Sequence, residues 1–515
     1  MSRARVYARN LMSNWLSLGA NLLVMFFLSP FILHALGLAT FGLWSLLNVV
    51  MGYMGILDIG VRAGTGRYVV LYLGRDDHRG VDETIRTALG LFSIVGAVMI
   101  VAGYCLGWVF PSIFSSVAES DRGLIRLLLV CMALNMWVLT MGSVFSSVLA
   151  AHDRFDLARG VDLAVLGVRT AATVWVLNRG YGILGLALTL LACNLIALVG
   201  NWILASRVYP RLKAWPLLLS RTRLRELFGY GIFAFISKIA FKIIGQTDLL
   251  IVGAVIGLAG AGTYKVGAML VYYSASLING IGRTFFPPVQ RAVARGEMGS
   301  ARWLLLRQVR LGLLLGTPVY VGFILFARPF ILLWMSGPKF DATAATEAAT
   351  VMILLASAKV LFLPCVGSNE FLAAVGRVRF TAYLTLTEAI VNLGLSLLFV
   401  LRFQWGLAGV AAGTVASRLI VRAFVLPWYT CRHAGIPWSG FLLRIFGYGL
   451  LAVAAFAGCC IVIRCVIPVD TWLGFWVSVG LALCAYVPFG FWILLPSTDR
   501  ERIWGGVKRR LAREA

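Results

Sequence analysis

The chain has 515 residues, 60% of them hydrophobic and 13% charged, with a formal net charge of +25 and a mean hydropathy of +0.89. Soluble domains carry about a quarter charged residues, so the composition excludes a soluble globular enzyme and leaves a polytopic membrane protein with little extramembrane mass. The basic surplus points to cytoplasmic loops, where Lys and Arg collect, and no nucleic-acid partner is expected.

Apolar runs of about 20 residues, long enough to cross a bilayer, fall near 11–34, 41–73, 88–110, 123–150, 161–178, 183–205, 229–256, 261–288, 311–335, 348–374, 380–401, 406–430, 445–466 and 473–495. The prediction is an all-α chain of about 14 transmembrane helices with both termini on one side. The opening MSRARVYARN is basic, and the run after it can span without a small-residue cleavage site. It reads as the first transmembrane helix rather than a signal peptide. Basic residues outside the spans gather on one side, among them Arg3, Arg75, Arg154, Arg211, Arg221, Arg295, Arg377 and Arg510. The opposite loops hold only Arg122, Arg126, Arg179, Lys339, Arg402 and Arg464. That bias places both termini in the cytoplasm.

The nine cysteines show no CxxC spacing and lie mostly in apolar runs, as small inert hydrophobes. The four histidines are far apart. Neither a metal nor a cofactor is expected. No GxxxxGK[ST], HExxH or GxSxG motif occurs, so nucleotide hydrolysis and the common hydrolytic chemistries are not indicated.

The chain repeats itself. Gly37-Leu38-Ala39-x-x-Gly42 recurs as Gly257-Leu258-Ala259-x-x-Gly262, 220 residues on. VLAAHDRF at 148–155 matches FLAAVGRVRF at 371–380, and GILGLALTLLACNLI at 182–196 matches GLAGVAAGTVASRLI at 406–420. Six helices therefore recur as six more in the same orientation, two parallel bundles related by an axis along the membrane normal. The expected organisation is an N-lobe at 1–205 (helices 1–6), a basic cytoplasmic linker at 206–228, a C-lobe at 229–430 (helices 7–12), and two appended helices with a basic tail at 431–515.

Polar residues inside apolar spans are the functional candidates, because charge in a membrane is costly. Asn14, Ser17 and Asn21 share one face of helix 1, either lining a cavity or bonding a neighbouring helix. Asn48 and Arg62 share a face of helix 2, and Asp58 sits at i, i+4 from Arg62, where a structural ion pair is the competing reading. Helix 7 stacks Lys238, Lys242 and Gln246 at steps of four, with Asp248 on another face. Helix 8 aligns Lys265, Tyr272, Asn279 and Arg283 at steps of seven, seven and four, although Arg283 and Arg422 are near enough to the cytoplasm to snorkel. Arg169, Lys359 and Arg418 extend the pattern. Against these cations stand Asp58, Asp162, Asp248, Glu370 and Glu388. The excess suits an anionic substrate, since Arg and Lys bind phosphate by charge-assisted hydrogen bonds. Asp58, Asp248 and Glu388 are candidates for ion coupling.

The helix count, the two repeats, the GLATFGLW turn after helix 1 and the GYGILGLAL turn before helix 6 resemble the polysaccharide transporter branch of the multidrug/oligosaccharidyl-lipid/polysaccharide (MOP) superfamily. That resemblance implies a two-lobed, V-shaped transporter with a central cationic cavity. It implies a polyprenyl-pyrophosphate-linked oligosaccharide as substrate, an O-antigen or exopolysaccharide repeat unit, carried to the periplasmic leaflet of the bacterial inner membrane by alternating access. By analogy with the lipid II flippase branch, Arg62 and Arg283 are expected at the pyrophosphate. Membrane lipids are expected partners, with a polysaccharide polymerase and glycosyltransferases as possible ones. Two other readings stay open: a cation-coupled multidrug exporter relying on Asp58 and Asp248, and a non-transporting scaffold of a polysaccharide-synthesis complex.

Overall fold

The computed structural model describes residues 3–58, 61–229, 232–495 and 500–501. Among them the chain is all-α, with no β pairing beyond one isolated bridge between Gly337 and Phe340. The helices are α1 (Arg3–Leu36), α2 (Leu38–Met54), α3 (Val61–Gly74), α4 (His78–Ile113), α5 (Arg122–Ala151), α6 (Phe155–Asn178), α7 (Gly182–Val208), α8 (Arg221–Gly229), α9 (Ile232–Val255), α10 (Leu258–Ala294), α11 (Met298–Met335), α12 (Ala342–Phe362), α13 (Ser368–Ala374), α14 (Val378–Leu397), α15 (Gly406–Ser417), α16 (Val425–Ala434), α17 (Trp438–Phe441), α18 (Gly447–Val466) and α19 (Trp472–Leu494). Short 3₁₀ or π segments extend several of them into the expected spans.

Among the described residues, 12 helical stretches are long and apolar enough to cross a membrane. The chain is a multi-pass membrane protein. The spans expected at 229–256 and 261–288 are present as the long helices α9 and α10 but are not among those 12. Every 18-residue stretch of α9 contains Lys238, Lys242 and Asp248, more charge than a simple apolar span carries.

The chain divides into two compact units, Met1–Lys242 with Val252–Gly262, and Ile243–Ile251 with Thr263–Ala515. The division passes through α9 and α10, not through the basic linker. The reason is visible in α8. Leu227 is buried in a core with Val61, Val69, Val81, Ile85 and Phe145, which ties the helix to α3, α4 and α5. Arg223 ion-pairs with Glu83 at 3.3 Å and Glu226 at 3.1 Å and hydrogen-bonds Tyr72. Burial works against its charge, yet the bond to Glu226 and the nearby Tyr72 and Glu83 hold the guanidinium above its ordinary pKa.

The internal repeat is written into the backbone. Left-handed φ values are rare outside glycine. Here they pair at the sequence offsets: Gly37 (87°) with Gly257 (111°), Asp76 (56°) with Gly296 (75°), Asp153 (57°) with Gly376 (77°), Gly180 (78°) with Gln404 (55°), and Gly182 (59°) with Gly406 (56°). Of the positive-φ residues described, only Gly367 and Gly435 fall outside this pairing. The same turns join equivalent helices in both halves, even where an aspartate or glutamine must adopt the glycine conformation.

Within the first unit the two copies of the Gly-Leu-Ala motif meet. A Cβ on Gly42 would overlap the Leu258 carbonyl and lie 2.8 Å from the Gly262 nitrogen, and one on Gly262 would lie 2.5 Å from the Leu38 carbonyl. The starts of α2 and α10 thus touch backbone to backbone, an approach that small residues alone permit between membrane helices.

In the second unit, α18 and α19 both pack on α11, α19 through Trp472 and Phe475 against Phe326 and Phe330, with ring centroids 5.4 to 6.2 Å apart. Their outer faces carry exposed Leu450, Val466 and Leu473, as a lipid-facing helix should.

Candidate functional site

Each unit builds its own polar constellation. In the first, α1, α3, α5, α6 and α7 enclose a cavity of about 300 Å³. Ser17 and Asn21 line it from α1, Arg62 from α3, Ser143 and Ser146 from α5, Arg159, Asp162 and Arg169 from α6, and Asn194 and Asn201 from α7. Arg159 pairs with Asp162 at 2.7 Å, which neutralises the one carboxylate in the lining. Arg169 is half-buried, and Arg62 is exposed. Neither has an ion-pair partner among the described residues.

The helical spacing of Asp58 and Arg62 does not produce a pair. Asp58 ends a 3₁₀ segment, Gly55–Asp58, and Arg62 stands in the first turn of α3, which begins at Val61. Asp58 is buried at 6% exposure, while Arg62 borders the cavity. The amides of the first unit are oriented by their own helices: Asn21 Nδ2 donates to Ser17 O at 3.0 Å, Asn48 Nδ2 to Trp44 O at 2.7 Å and Asn201 Nδ2 to Ala197 O at 2.9 Å. Asn194 donates to Asn135 Oδ1 at 2.5 Å. Lys242 is half-buried, and its carbonyl accepts from Tyr53 at 3.5 Å. The side chains of Asn14, Lys238 and Arg283 lie outside the described residues.

In the second unit Asp248 is 1% exposed. Its Oδ2 accepts from Tyr264 at 3.0 Å and from Thr414 at 2.8 Å, and Asn392 donates to the same threonine hydroxyl at 2.8 Å. Asp248 Oδ1 and Asn392 Oδ1 are buried without a hydrogen-bond partner. A second cluster sits beside this one in sequence, one helical turn along α14. Glu388, also 1% exposed, accepts from Arg418 at 3.2 Å and Arg422 at 2.5 Å. Arg422 reaches Thr385 at 3.1 Å as well, and both guanidiniums stand over the Phe362 ring at about 5.5 Å.

Arg422 therefore does not snorkel. It is 3% exposed because a π segment at Arg418–Arg422 turns both arginines onto Glu388. Glu388 and Arg418, expected separately at an ion site and at the substrate, spend their charge on each other, leaving one net positive charge in the triad. Lys359 lies 5.7 Å from the Tyr272 ring. Tyr272 Oη and Gln246 Oε1 are buried without partners. Lys265 is half-buried on α10 with no ion-pair partner among the described residues, and Asn279 is exposed.

Several contributors were not singled out from the sequence. Asn194 and Asn201 are seven apart on α7, and Asn392 lies four after Glu388, so helical periodicity places them on shared faces. Tyr264 and Thr414 carried no such signal, because a lone hydroxyl in an apolar helix commonly bonds its own backbone.

A family profile described as "Polysaccharide biosynthesis protein" matches residues 35–344, more than half of the chain. The chain belongs to that family. A curated relative, the "Putative O-antigen transporter" of Shigella flexneri, is 22% identical over 416 residues, covering 79% of this chain and 93% of its own length. Among solved structures, the lipid II flippase MurJ in an inward closed conformation matches with a TM-score of 0.70 at 13% identity, over 95% of this chain and 98% of that one. An inward-facing multidrug-resistance MATE transporter of the MOP superfamily matches with a TM-score of 0.68 at 16% identity, over 80% of this chain and 94% of that one. Family and fold agree: this member of the polysaccharide biosynthesis family is a multi-pass membrane protein with the fold shared by the MurJ and MATE structures.

Proposed function

We propose that the chain flips a polyprenyl-pyrophosphate-linked oligosaccharide, an O-antigen or exopolysaccharide repeat unit, from the cytoplasmic to the periplasmic leaflet of a bacterial inner membrane by alternating access. Family membership and the O-antigen transporter relative support the glycan side of this reading. The observation that carries it is the set of cations without acid partners in long apolar helices, Arg169 on α6 and Lys265 on α10, with Arg62 at the rim of the first-unit cavity. An unpaired cation in a bilayer costs several kcal/mol at least and marks an ion or substrate path. A pyrophosphate supplies the missing counter-charge through charge-assisted hydrogen bonds. Lys238 and Lys242 are proposed to add cationic surface to the first unit, and Arg283, Lys359 and the net positive Arg418–Arg422–Glu388 triad to the second. Membrane lipids would hold the polyprenyl tail.

Asp248 favours a place for ion coupling in the same protein, because its Oδ1 is buried and unpartnered. If coupling carboxylates alone mattered, the chain would instead be a cation-driven exporter of amphipathic drugs.

The deciding experiment locates polyprenyl-linked glycan in cells lacking the chain. Accumulation on the cytoplasmic leaflet, reversed by wild type but not by Lys265→Ala, is the expected result. Normal glycan distribution together with increased drug sensitivity would replace the flippase with the exporter.

A further inference from the structure

We propose that the strap joining α7 to α8, residues 209–220, is a membrane-surface anchor. Trp215, Leu217 and Leu219 enter the interfacial layer of the leaflet beside them, and the flanking Arg211, Lys213 and Arg221 hold the headgroups of anionic phospholipids. The ligand is the lipid around the protein and not its cargo, so the inference goes beyond the flippase reading and does not depend on it.

The strap is sided. Leu212, Ala214, Leu218 and Ser220 are half-buried, whereas Arg211, Lys213, Trp215, Leu217 and Leu219 between them are exposed. A two-residue alternation is what extended backbone produces. The inward set is fastened to the first unit. Leu212 and Ala214 pack against the core that contains Ile85 and Leu89. Arg86 Nε donates to the Pro216 carbonyl at 2.6 Å, the Leu218 amide donates to Arg86 O at 3.4 Å, and the Ser220 amide donates to Thr87 Oγ1 at 3.4 Å. The strap runs so close to α4 that a Cβ on Gly90 would lie 2.7 Å from the Leu218 carbonyl oxygen. The outward side chains are therefore presented by a held backbone.

The place of attachment sets the depth. Arg86 is the last charged residue of α4, and none follows from Thr87 to Ile113. The hydrocarbon layer therefore begins just past the strap. At this level Trp215 is 75% exposed and Leu219 50%. Tryptophan concentrates at the boundary between headgroups and acyl chains.

The charge selects anionic lipid. Residues 206–225 hold six basic residues and no acidic one. Arg223 spends its charge on Glu83 and Glu226, and Asp82 on α4 attracts Lys213. Arg207, Arg211, Lys213, Arg221 and Arg225 all remain exposed. Cations on both sides of an apolar centre suit a surface whose acyl boundary takes the centre and whose phosphates take the cations. A soluble acidic partner would answer the cations but not an apolar centre held where a transmembrane helix enters the bilayer.

The test uses the purified full-length chain in detergent micelles doped with phosphatidylglycerol or phosphatidylcholine and reads the thermal unfolding midpoint. Phosphatidylglycerol should raise the midpoint saturably, and phosphatidylcholine should not. In the triple variant Arg211→Gln/Lys213→Gln/Arg221→Gln, half-saturation should need about a hundredfold more phosphatidylglycerol, on the order of fivefold per charge removed. A charge-matched triple at exposed arginines elsewhere, Arg291→Gln/Arg295→Gln/Arg377→Gln, should keep half-saturation near the wild-type value. An equal loss in both triples, or no preference for phosphatidylglycerol in wild type, overturns the headgroup site. Sodium pyrophosphate stabilising wild type as well as phosphatidylglycerol does, with the same loss in the strap triple, overturns the lipid assignment in favour of a free phosphate ligand. Depth is read separately. With the native cysteines replaced, Leu217→Cys carrying an environment-sensitive fluorophore in phosphatidylglycerol vesicles should be quenched by lipids bearing a nitroxide high on the acyl chain. Absence of that quenching places the strap in water and overturns the anchor. Neither readout uses transport, so the leaflet experiment and this one can fail separately.

Discussion

Buried ions in this chain are of two kinds, and they should respond oppositely to mutation. Glu388 holds two arginines in a nearly solvent-free setting. Removing one member of a buried ionic cluster costs about 3–5 kcal/mol, because the survivors keep their desolvation penalty and lose their partner. Glu388→Gln should therefore lower the unfolding midpoint strongly and reduce the yield of monodisperse protein on size exclusion. Arg169→Gln breaks no ion pair, so its midpoint without ligand should stay near wild type. An unchanged midpoint for Glu388→Gln would mean that the triad is water-filled.

At the scale of elements, the contact between α2 and α10 has no room for a side chain. Gly42 and Gly262 each face the backbone of the other motif. Gly42→Ala forces the helices apart, and overpacking of this kind costs about 1–3 kcal/mol. The expected result is a lower unfolding midpoint, whereas Gly19→Ala on α1, where nothing lies within 4 Å of the added carbon, should be neutral. Equal stability of Gly42→Ala and wild type would show that the helix starts separate freely. The linker follows the same logic of contacts over composition. Its basic residues read as a loop, yet Leu227 and Arg223 fasten α8 to the first unit.

For the molecule as a whole, the five pairs of left-handed residues mark a duplicated chain, and the even number of helices per repeat expected from the sequence would give both copies the same topology. Topology is then a single choice for the entire protein. With the native cysteines replaced, Ser120→Cys and Tyr181→Cys should react with an impermeant maleimide added outside intact cells. Asp153→Cys and Glu297→Cys should react only after permeabilisation. Reversed labelling would invert the positive-inside assignment, and mixed labelling would break the parity of the repeat.

The sequence by itself determined the membrane class, the helical architecture and the repeat, because bilayer thickness and turn chemistry are local constraints. An apolar run of sufficient length must span, and a turn that needs positive φ leaves its glycine at a fixed offset. It also picked out Arg169, Asp248, Glu388 and Arg418 as costly residues. Only the tertiary structure decided what each one does with its charge. Arg422 looked close enough to the surface to snorkel and is instead locked on Glu388. Asp58 and Arg62 looked like a pair, but Asp58 is buried at the end of a 3₁₀ segment while Arg62 borders a cavity. Asn201 became a site residue only when the packing of α7 placed it in the lining of a cavity. Pairing depends on which helices lie side by side and on breaks such as those at Gly55–Asp58 and Arg418–Arg422, and helical spacing along one chain does not contain that information.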